Sequence, residues 1–407
     1  MNRLVLIGNG FDLAHGLKTS YKDFIFWYLD ECFNEAGAFR IGNIYEDEFV
    51  KICVHDIHLA MNLKYLSGSK GISKYLHQAG QLNNYINFNE NSLKINDYYR
   101  DDYKNVSKIS GHYITLKSVF FETLIDSCIE CDWVDIEQEY FNALCNCKSS
   151  DGLFDYQKVN KLNKHFNFLK NKLEEYLTIQ DRQFDNRLNF QLVKQLGQEF
   201  VIDDFDPSIA DDDLRGKLGK DDSVLNVHKM YVLNFNYTNT FYNYIREVRC
   251  NTFSKIEINH IHGQLNDLGN PIIFGFGDEH DKDYAQFEEI GNNTLFEHVK
   301  SYHYLKTSNY RNLMRFLNED YYQVYVVGHS CGLSDRTMFK EIFDHENCKS
   351  VKILHHKRAD GTTDFFDKTI NLGRHFTDKG RMRKLIVNFN EADAIPQFEK
   401  EIKDYEF

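Results

Sequence analysis

The strongest constraint on the fold is a series of short apolar runs, each followed at once by glycine, asparagine or histidine. Six such runs stand at residues 4–7, 231–233, 256–261, 324–327, 351–354 and 385–387. Runs of this length that are rich in Val, Ile and Leu are typical of strands buried on both faces, as in a parallel sheet covered by helices. The sequence therefore predicts an α/β fold with a Rossmann-type parallel sheet.

Small and polar residues stand at the ends of four of these runs. They are Gly8, Asn9, Gly10, Phe11 and Asp12; Asn234, Asn236, Tyr237 and Thr238; His262 and Gly263; and Gly328, His329, Ser330 and Asp335. In open α/β sheets, ligands bind beyond the carboxyl ends of the strands, near the point where the strand order reverses. The pattern predicts a ligand crevice at that edge of the sheet.

A long stretch of different character separates the first two runs. Segments 21–32, 114–128 and 156–177 carry apolar residues at helical spacing, with charged residues on the opposite face. We therefore expect a discontinuous nucleotide-binding core at residues 1–40 and 223–407. Residues 41–222 are expected to form a large, mainly helical insertion.

The charge and the hydropathy pattern restrict the partners. The formal net charge is −13, which argues against a broad DNA-binding surface because such a surface needs clustered Lys and Arg. A small anionic ligand is still compatible, since a helix N-terminus can hold one. No stretch approaches the roughly 20 apolar residues of a membrane helix, and the first run is too short for a signal peptide. We expect a cytoplasmic protein.

The nine cysteines are expected to be reduced thiols, because their number is odd and the chain shows no signal peptide. Cys128 with Cys131, and Cys145 with Cys147, resemble two zinc half-sites. The flanking sequence is helical, however, and cysteines at this spacing also face a core. We expect no metal.

Two interpretations are open for the first glycine turn. Gly8 and Gly10, after a buried strand, would let the backbone approach a phosphate or a ribose closely. The third glycine of the dinucleotide-binding pattern is absent, so a plain strand-to-helix turn is an equal alternative. Asp12 would bond a ribose hydroxyl or cap the helix. Ser20 and Asp23 form a capping box.

Asparagine and histidine supply the candidate catalytic groups. Asn234, Asn236 and Asn239 suit ribose hydroxyls or a positioned water, and Asx turns are the alternative. His262 suits a general base, and a core histidine with satisfied hydrogen bonds is the alternative. His260 should share its strand face and is the structural one of the two. Residues 275–278 form a second glycine-rich turn, either a site loop or a plain turn.

A serine esterase is a formal competitor. Residues 328–332 match the G-x-S-x-G nucleophile pattern, with Asp335 and several histidines nearby. The helix is predicted to begin near Ser334, which is late for a nucleophile turn. An esterase would also leave the other strand-end motifs unexplained.

Motifs along nearly the whole chain resemble the AbiH family of phage abortive-infection proteins. The matching residues are the opening segment 1–24, then 133–137, 234–238, 261–263 and 327–330, in that order. This family in turn resembles the sirtuin-like fold. In that comparison Gly8 and Gly10, Asn234 to Thr238, His262 with Gly263, and Gly328, Ser330 and Asp335 match the nucleotide-binding elements.

The resemblance implies an anti-phage protein that binds NAD and hydrolyses it, with Asn236 and His262 as catalytic residues. It also implies self-association and action with a phage-encoded trigger or a neighbouring defence protein. Thr238 stands where the sirtuin-like relatives have an acidic residue, so a sensor that binds NAD or ADP-ribose without cleaving it is the alternative. The chain lacks a four-cysteine zinc module, which argues against protein deacylation.

Overall fold

The computed structural model describes residues 1–38, 44–53, 92–93, 114–130, 135–149, 151–185, 187–209, 214, 216, 228–249 and 253–398. The chain divides into two compact units. One contains Met1–Thr19 with Leu177–Phe407, and the other contains Ser20–Tyr176. The domain boundaries predicted at residues 40/41 and 222/223 lie outside the described residues.

The described residues contain two sheets. Their strands, in chain order, are β1 (Asn2–Ile7), β2 (Ile44–Glu46), β3 (Val50–Cys53), β4 (Ser92–Leu93), β5 (Ile114–Leu116), β6 (His228–Asn234), β7 (Phe253–His260), β8 (Tyr322–Val327) and β9 (Cys348–Leu354). The first unit holds a five-stranded sheet in the order β7-β6-β1-β8-β9. All its neighbouring strands pair in parallel. The predicted α/β fold with a parallel sheet is confirmed.

One predicted strand is wrong. Leu385 is the last residue of a helix that begins at Lys379, and Asp378 caps that helix by accepting from backbone N–H groups. Ile386 then forms a single bridge with Val351 of β9. Leu385, the first residue of the apolar run, therefore belongs to the capped helix. Ile386, the next residue, contacts the edge strand β9.

The central strands are buried on both faces. Leu4 and Leu6 of β1 pack into one apolar core, whereas Val5 and Ile7 pack into another. Successive side chains of a strand point to opposite faces, so the two cores lie on the two sides of the sheet. Each such side chain contributes about 1.5–3 kcal/mol when it is fully buried. This burial explains why the strands read as continuous apolar runs.

Helices flank this sheet. Those within the first unit are Asn9–Ala14, Phe190–Leu196, Tyr242–Arg249, Lys282–Ile290, Lys300–His303, Asn309–Glu319, Arg336–Asp344, Phe365–Gly373 and Lys379–Leu385. Short 3₁₀ helices lie at Ile202–Asp204, Asn293–Phe296, Tyr304–Lys306, Leu333–Asp335 and Glu391–Asp393. The helix Tyr156–Gln183 contains the boundary between the two units.

The second unit combines helices with an antiparallel sheet in the order β2-β3-β5-β4. Its other helices are Tyr21–Ala38, Val119–Glu130 and Ile136–Cys145. Residues 114–116 form β5, although their spacing suggested a helix. The Ser20 cap of the predicted capping box is confirmed, since Asp23 N–H donates to Ser20 Oγ at 3.1 Å, and the Ser20 hydroxyl donates to Asp23 Oδ2 at 2.6 Å.

Three of the four cysteines in the candidate zinc half-sites lie within the described residues. Cys128 and Cys147 are buried, and Cys131 lies outside the described residues. Within the described ranges, no group of three or more His, Cys, Asp or Glu side chains is arranged to hold a metal ion.

No helix in the described part of the chain is both long enough and apolar enough to cross a membrane.

Two turns at the carboxyl edge of the five-stranded sheet touch through their backbones. Gly10 N–H donates to the Gly328 carbonyl at 2.8 Å. A Cβ on Gly10 would lie 2.8 Å from Gly328 Cα, and a Cβ on Gly8 would lie 2.6 Å from His329 Cα. Gly328 also has a φ of +70°, which L side chains rarely adopt. The glycines are required here because the two turns leave no room for side chains.

Replacing Gly328 by Ala should destabilise the protein much more than replacing Gly361 by Ala. Both glycines have positive φ, so an alanine at either position would lose about 1–2 kcal/mol of stability from its left-handed backbone conformation. Only at Gly328 would the new methyl overlap neighbouring backbone, including Phe11 N, whereas Gly361 faces open space. We expect a further loss of about 1–3 kcal/mol from overpacking. Urea denaturation measures this, and equal losses would contradict the close packing.

Candidate functional site

The structure brings the predicted strand-end residues together at one edge of the parallel sheet. Asn236, after β6, donates from Nδ2 to the Gly8 carbonyl after β1 at 3.1 Å. The ring of Phe235 lies edge-on to His329, which follows β8, with 4.3 Å between the ring centroids. It also lies edge-on to His262, which follows β7, at 5.0 Å. Four strand ends therefore contribute to one site, as the parallel order predicts.

His262 lies in a buried polar cluster with three residues from other segments. Its Nε2 lies 3.0 Å from Asp335 Oδ1 and 3.1 Å from the Tyr304 hydroxyl. Lys300 Nζ donates to the same Asp335 oxygen, also at 3.0 Å, and the Tyr304 hydroxyl donates to it at 3.4 Å. Lys300 is fully buried, and His262 and Asp335 are 5% and 6% exposed. One carboxylate oxygen thus binds an ammonium, an imidazole and a hydroxyl.

This arrangement shifts the protonation equilibria in a definite direction. Burial, followed by the positive charge of Lys300, holds the pKa of His262 below its usual value. Burial opposes the charged form of Asp335, but Lys300 and then His262 outweigh it, and the pKa of that carboxyl lies well below its usual range. At neutral pH the site therefore contains an ionised Asp335 and a neutral His262.

Asp12 forms a second buried cluster, and the hydrogen bonds that its carboxylate accepts from the described residues come from neutral groups. Its two carboxylate oxygens accept from the hydroxyls of Thr238 at 2.6 Å and Thr240 at 2.5 Å. Burial raises the pKa of this carboxyl to about 6. The cap of the first helix is Gly8, without a side-chain cap bond. Asp12 is therefore not a helix cap, and in this structure both of its oxygens face protein hydroxyls.

The three asparagines have different roles. Asn234 Oδ1 accepts from Asn236 N–H at 3.0 Å, which is an Asx-type turn. Asn239 donates from its backbone N–H and its side-chain Nδ2 to the carboxylate of Asp181. Asn239 Oδ1 accepts from Gln264 at 2.6 Å. Asn234 and Asn239 thus shape the turn, and Asn236, which is 8% exposed, is the candidate catalytic residue of the three.

The first glycine turn is engaged mainly with the protein itself. Gly8 N–H donates to the Val327 carbonyl at 3.1 Å, and Gly10 N–H donates to Gly328. Phe11 is fully buried in the apolar core. Gly8, Asn9, Gly10 and Phe11 were predicted as nucleotide contacts, with a plain strand-to-helix turn as the equal alternative for the glycine turn. Their bonds instead support the plain-turn interpretation for the backbone, while the exposed Asn9 side chain accepts from Thr19 at 2.5 Å.

Tyr237 and Gly263 also have structural contacts. The Tyr237 hydroxyl donates to the Ile273 carbonyl at 3.2 Å. Gly263 has a φ of +90°, and a Cβ there would overlap the Pro271 backbone. His260, expected to be structural, stacks on Tyr242 with 5.7 Å between the ring centroids. These residues hold the chain around His262 in position.

The turn after β8 does not have the geometry of a nucleophile elbow. His329 Nδ1 accepts from Cys331 N–H at 2.9 Å, and burial lowers the pKa of His329 to about 3. Ser330 is exposed, and the residue with positive φ is Cys331, at +52°. In an elbow the nucleophilic serine itself occupies the sharp turn before the helix. Here the α-helix begins only at Arg336, which argues against the esterase.

Sequence reasoning missed Lys300, Tyr304 and Thr240. Lys300 begins a helix of four residues, and no spacing pattern in the sequence links it to Asp335. Tyr304 follows that helix in a 3₁₀ turn. Thr240 directly follows Asn239, the last residue of the predicted polar cluster, so extending that cluster by one residue would have included it. Lys300 and Tyr304 have no sequence signal, because they reach the site from short helical segments outside the strand-end motifs.

The protein-family comparison gives one match, over residues 4–356, to the family described as bacteriophage abortive infection AbiH. No curated protein and no solved structure matches the chain. The matched region includes β1, β6, β7, β8 and β9 and the residues of both polar clusters. Because it covers most of the chain, the protein belongs to the AbiH family of bacteriophage abortive-infection proteins.

Proposed function

We propose that this AbiH protein binds NAD at the carboxyl edge of its parallel sheet and hydrolyses it to nicotinamide and ADP-ribose. Depletion of NAD would then halt the infected cell. The observation that supports the proposal most is the His262–Asp335 pair, with its 3.0 Å separation, at the same edge as Asn236. We choose NAD as the ligand because the strand-end motifs resemble those of the sirtuin-like fold, and this choice is itself part of the proposal.

The proposed reaction uses His262 as the general base. An ionised Asp335 only accepts hydrogen bonds, so its contact with Nε2 places the imidazole proton on that nitrogen. Nδ1 is then the nitrogen that takes a proton from water. The bond between nicotinamide and ribose C1′ breaks, and its electron pair leaves with neutral nicotinamide. The water oxygen bonds to C1′, and Asn236 holds that water or a ribose hydroxyl.

The phosphate side of the ligand is assigned to the turns after β1 and β8. Gly8 and Gly10 bring these turns together but use their N–H groups within the protein. The polar side chains with exposure in the same turns are Asn9 and Ser330. We assign the diphosphate and the adenosine to this region, with Gly328 allowing close approach of the backbone.

A second candidate is a sensor that binds NAD or ADP-ribose without cleaving it. The observation that favours it is the Asp12 cluster, where Thr238 takes the position of an acidic residue in sirtuin-like relatives and bonds Asp12 instead. A sensor would act in the cytoplasm through a phage-encoded trigger, a neighbouring defence protein or a second copy of this chain. Nicotinamide release separates the hydrolase from the sensor.

Replacing His262 or Asn236 by Ala should abolish most nicotinamide release. Loss of one acid–base group costs on the order of 10²–10⁴ in rate, so we expect a decrease of that size for the His262 variant. The measurement is nicotinamide release from NAD by purified protein, with and without phage lysate. His355→Ala is the matched control, because His355 is a buried histidine of the same unit, packed against Phe389.

Near-full turnover by His262→Ala would refute the assigned base. No release by the wild type under either condition, combined with a shift of its melting temperature by NAD, would refute hydrolysis and support the sensor. Absence of both release and binding would refute NAD as the ligand.

Nicotinamide release should continue at pH values below the usual pKa of histidine. Protonation of His262 removes the base, and its pKa is lowered by burial and by Lys300. The value of kcat/KM for nicotinamide release should therefore decrease on the acid side with a midpoint below pH 6.5. A midpoint above pH 6.5 on the acid side would contradict a neutral, buried His262 as the base.

A further inference from the structure

We propose that Lys300 is a positioning residue of this site: its ammonium neutralises Asp335, so that Asp335 orients His262 without drawing a second proton onto it. The inference rests on the proposed function and deepens it, because it identifies what keeps the base in its active form. Lys300 lies outside every strand-end motif, and only the tertiary structure places it beside Asp335.

A buried carboxylate next to a histidine has two possible effects. It orients the ring through a hydrogen bond, and its negative charge also favours the imidazolium form, which is useless as a base. A buried cation beside the same carboxylate offsets its negative charge but leaves its hydrogen bond to the histidine in place. The geometry here meets that requirement, since Lys300 Nζ and His262 Nε2 both lie 3.0 Å from Asp335 Oδ1.

Among the residues that the structure describes, few other charged groups lie near His262. The groups that face it are Lys300, Tyr304 and Asp335 from one side, and His329 and the ring of Phe235 from the end of the sheet. His329 is itself kept neutral, because burial lowers its pKa to about 3. Tyr304 is uncharged. Within the described part of the chain, Lys300 and Asp335 are therefore the two charged groups that act on the protonation of His262.

The second glycine-rich turn explains how Lys300 is held. Phe276 N–H donates to the His298 carbonyl at 3.0 Å, and Lys300 N–H donates to the Phe276 carbonyl at 2.8 Å. A Cβ on Gly277 would lie 2.6 Å from the Ser334 carbonyl. The turn 275–277 thus contacts both the segment that carries Lys300 and the segment that carries Asp335. The turn therefore supports the position of Lys300 relative to Asp335, and its prediction as a loop of the ligand site stays a prediction.

The test is an NMR titration of His262 in the full-length protein, assigned by comparison with His262→Ala. Lys300→Gln keeps a hydrogen-bond donor for Asp335 but removes the charge, and we expect the midpoint of His262 to shift upward relative to wild type. Lys300→Arg keeps the charge and should retain the low midpoint. Lys352→Gln is the matched control, since Lys352 is a buried lysine paired with Asp204 and Asp393 at 3.4 Å.

An unchanged His262 midpoint in folded Lys300→Gln would overturn the proposal, as would an equal shift in Lys352→Gln. Folding is checked by circular dichroism, and if Lys300→Gln does not fold, Lys300→Met is titrated with the same expectation. The acid limb of the kcat/KM profile should move upward with the NMR midpoint, whereas a purely structural defect would lower the rate at every pH. Failure of the wild type to release nicotinamide would refute the proposed function but not the titration result, so the two failures are distinguishable.

Discussion

The contact between the turns after β1 and β8 is the constraint on which the site depends. Both strands are central in the sheet, and their turns meet through Gly10 and Gly328 with a backbone hydrogen bond of 2.8 Å. This approach leaves no space for side chains between the turns. The residues that follow them, Asp12 on one side and His329 on the other, are thereby fixed at the same edge as the ends of β6 and β7.

Two buried carboxylates at this edge have opposite pKa shifts for one physical reason. Burial raises the pKa of Asp12 to about 6, and the hydrogen bonds from the hydroxyls of Thr238 and Thr240 offset this rise only in part. Asp335 is equally buried, but Lys300 and His262 lower its pKa well below the usual range. The buried ammonium of Lys300 therefore distinguishes the two carboxyls. Asp335 stays ionised and orients a base, whereas Asp12 is readily protonated.

The candidate residues could be predicted from the sequence to the extent that they follow strands. Asn236, His262 and His329 were found because parallel strands place their carboxyl ends together, and the structure brings them together. Their hydrogen bonds could not be predicted. Asn234 makes an Asx-type turn, and Gly8 and Gly10 donate to protein carbonyls. Such details depend on which backbone groups face each other after packing, and several residue types would satisfy the same sequence pattern.

The sequence by itself determined the parallel sheet, because several continuous apolar runs such as residues 4–7 and 324–327 are typical of strands buried on both faces. It also determined the family, through motifs in the same order along the chain, in agreement with the match over residues 4–356. Only the tertiary structure decided that Lys300 and Tyr304 meet Asp335, and that the run at 385–387 ends a helix. Local patterns encode burial and turns, whereas a contact between segments distant in the chain depends on how their backbones pack, which no local pattern contains.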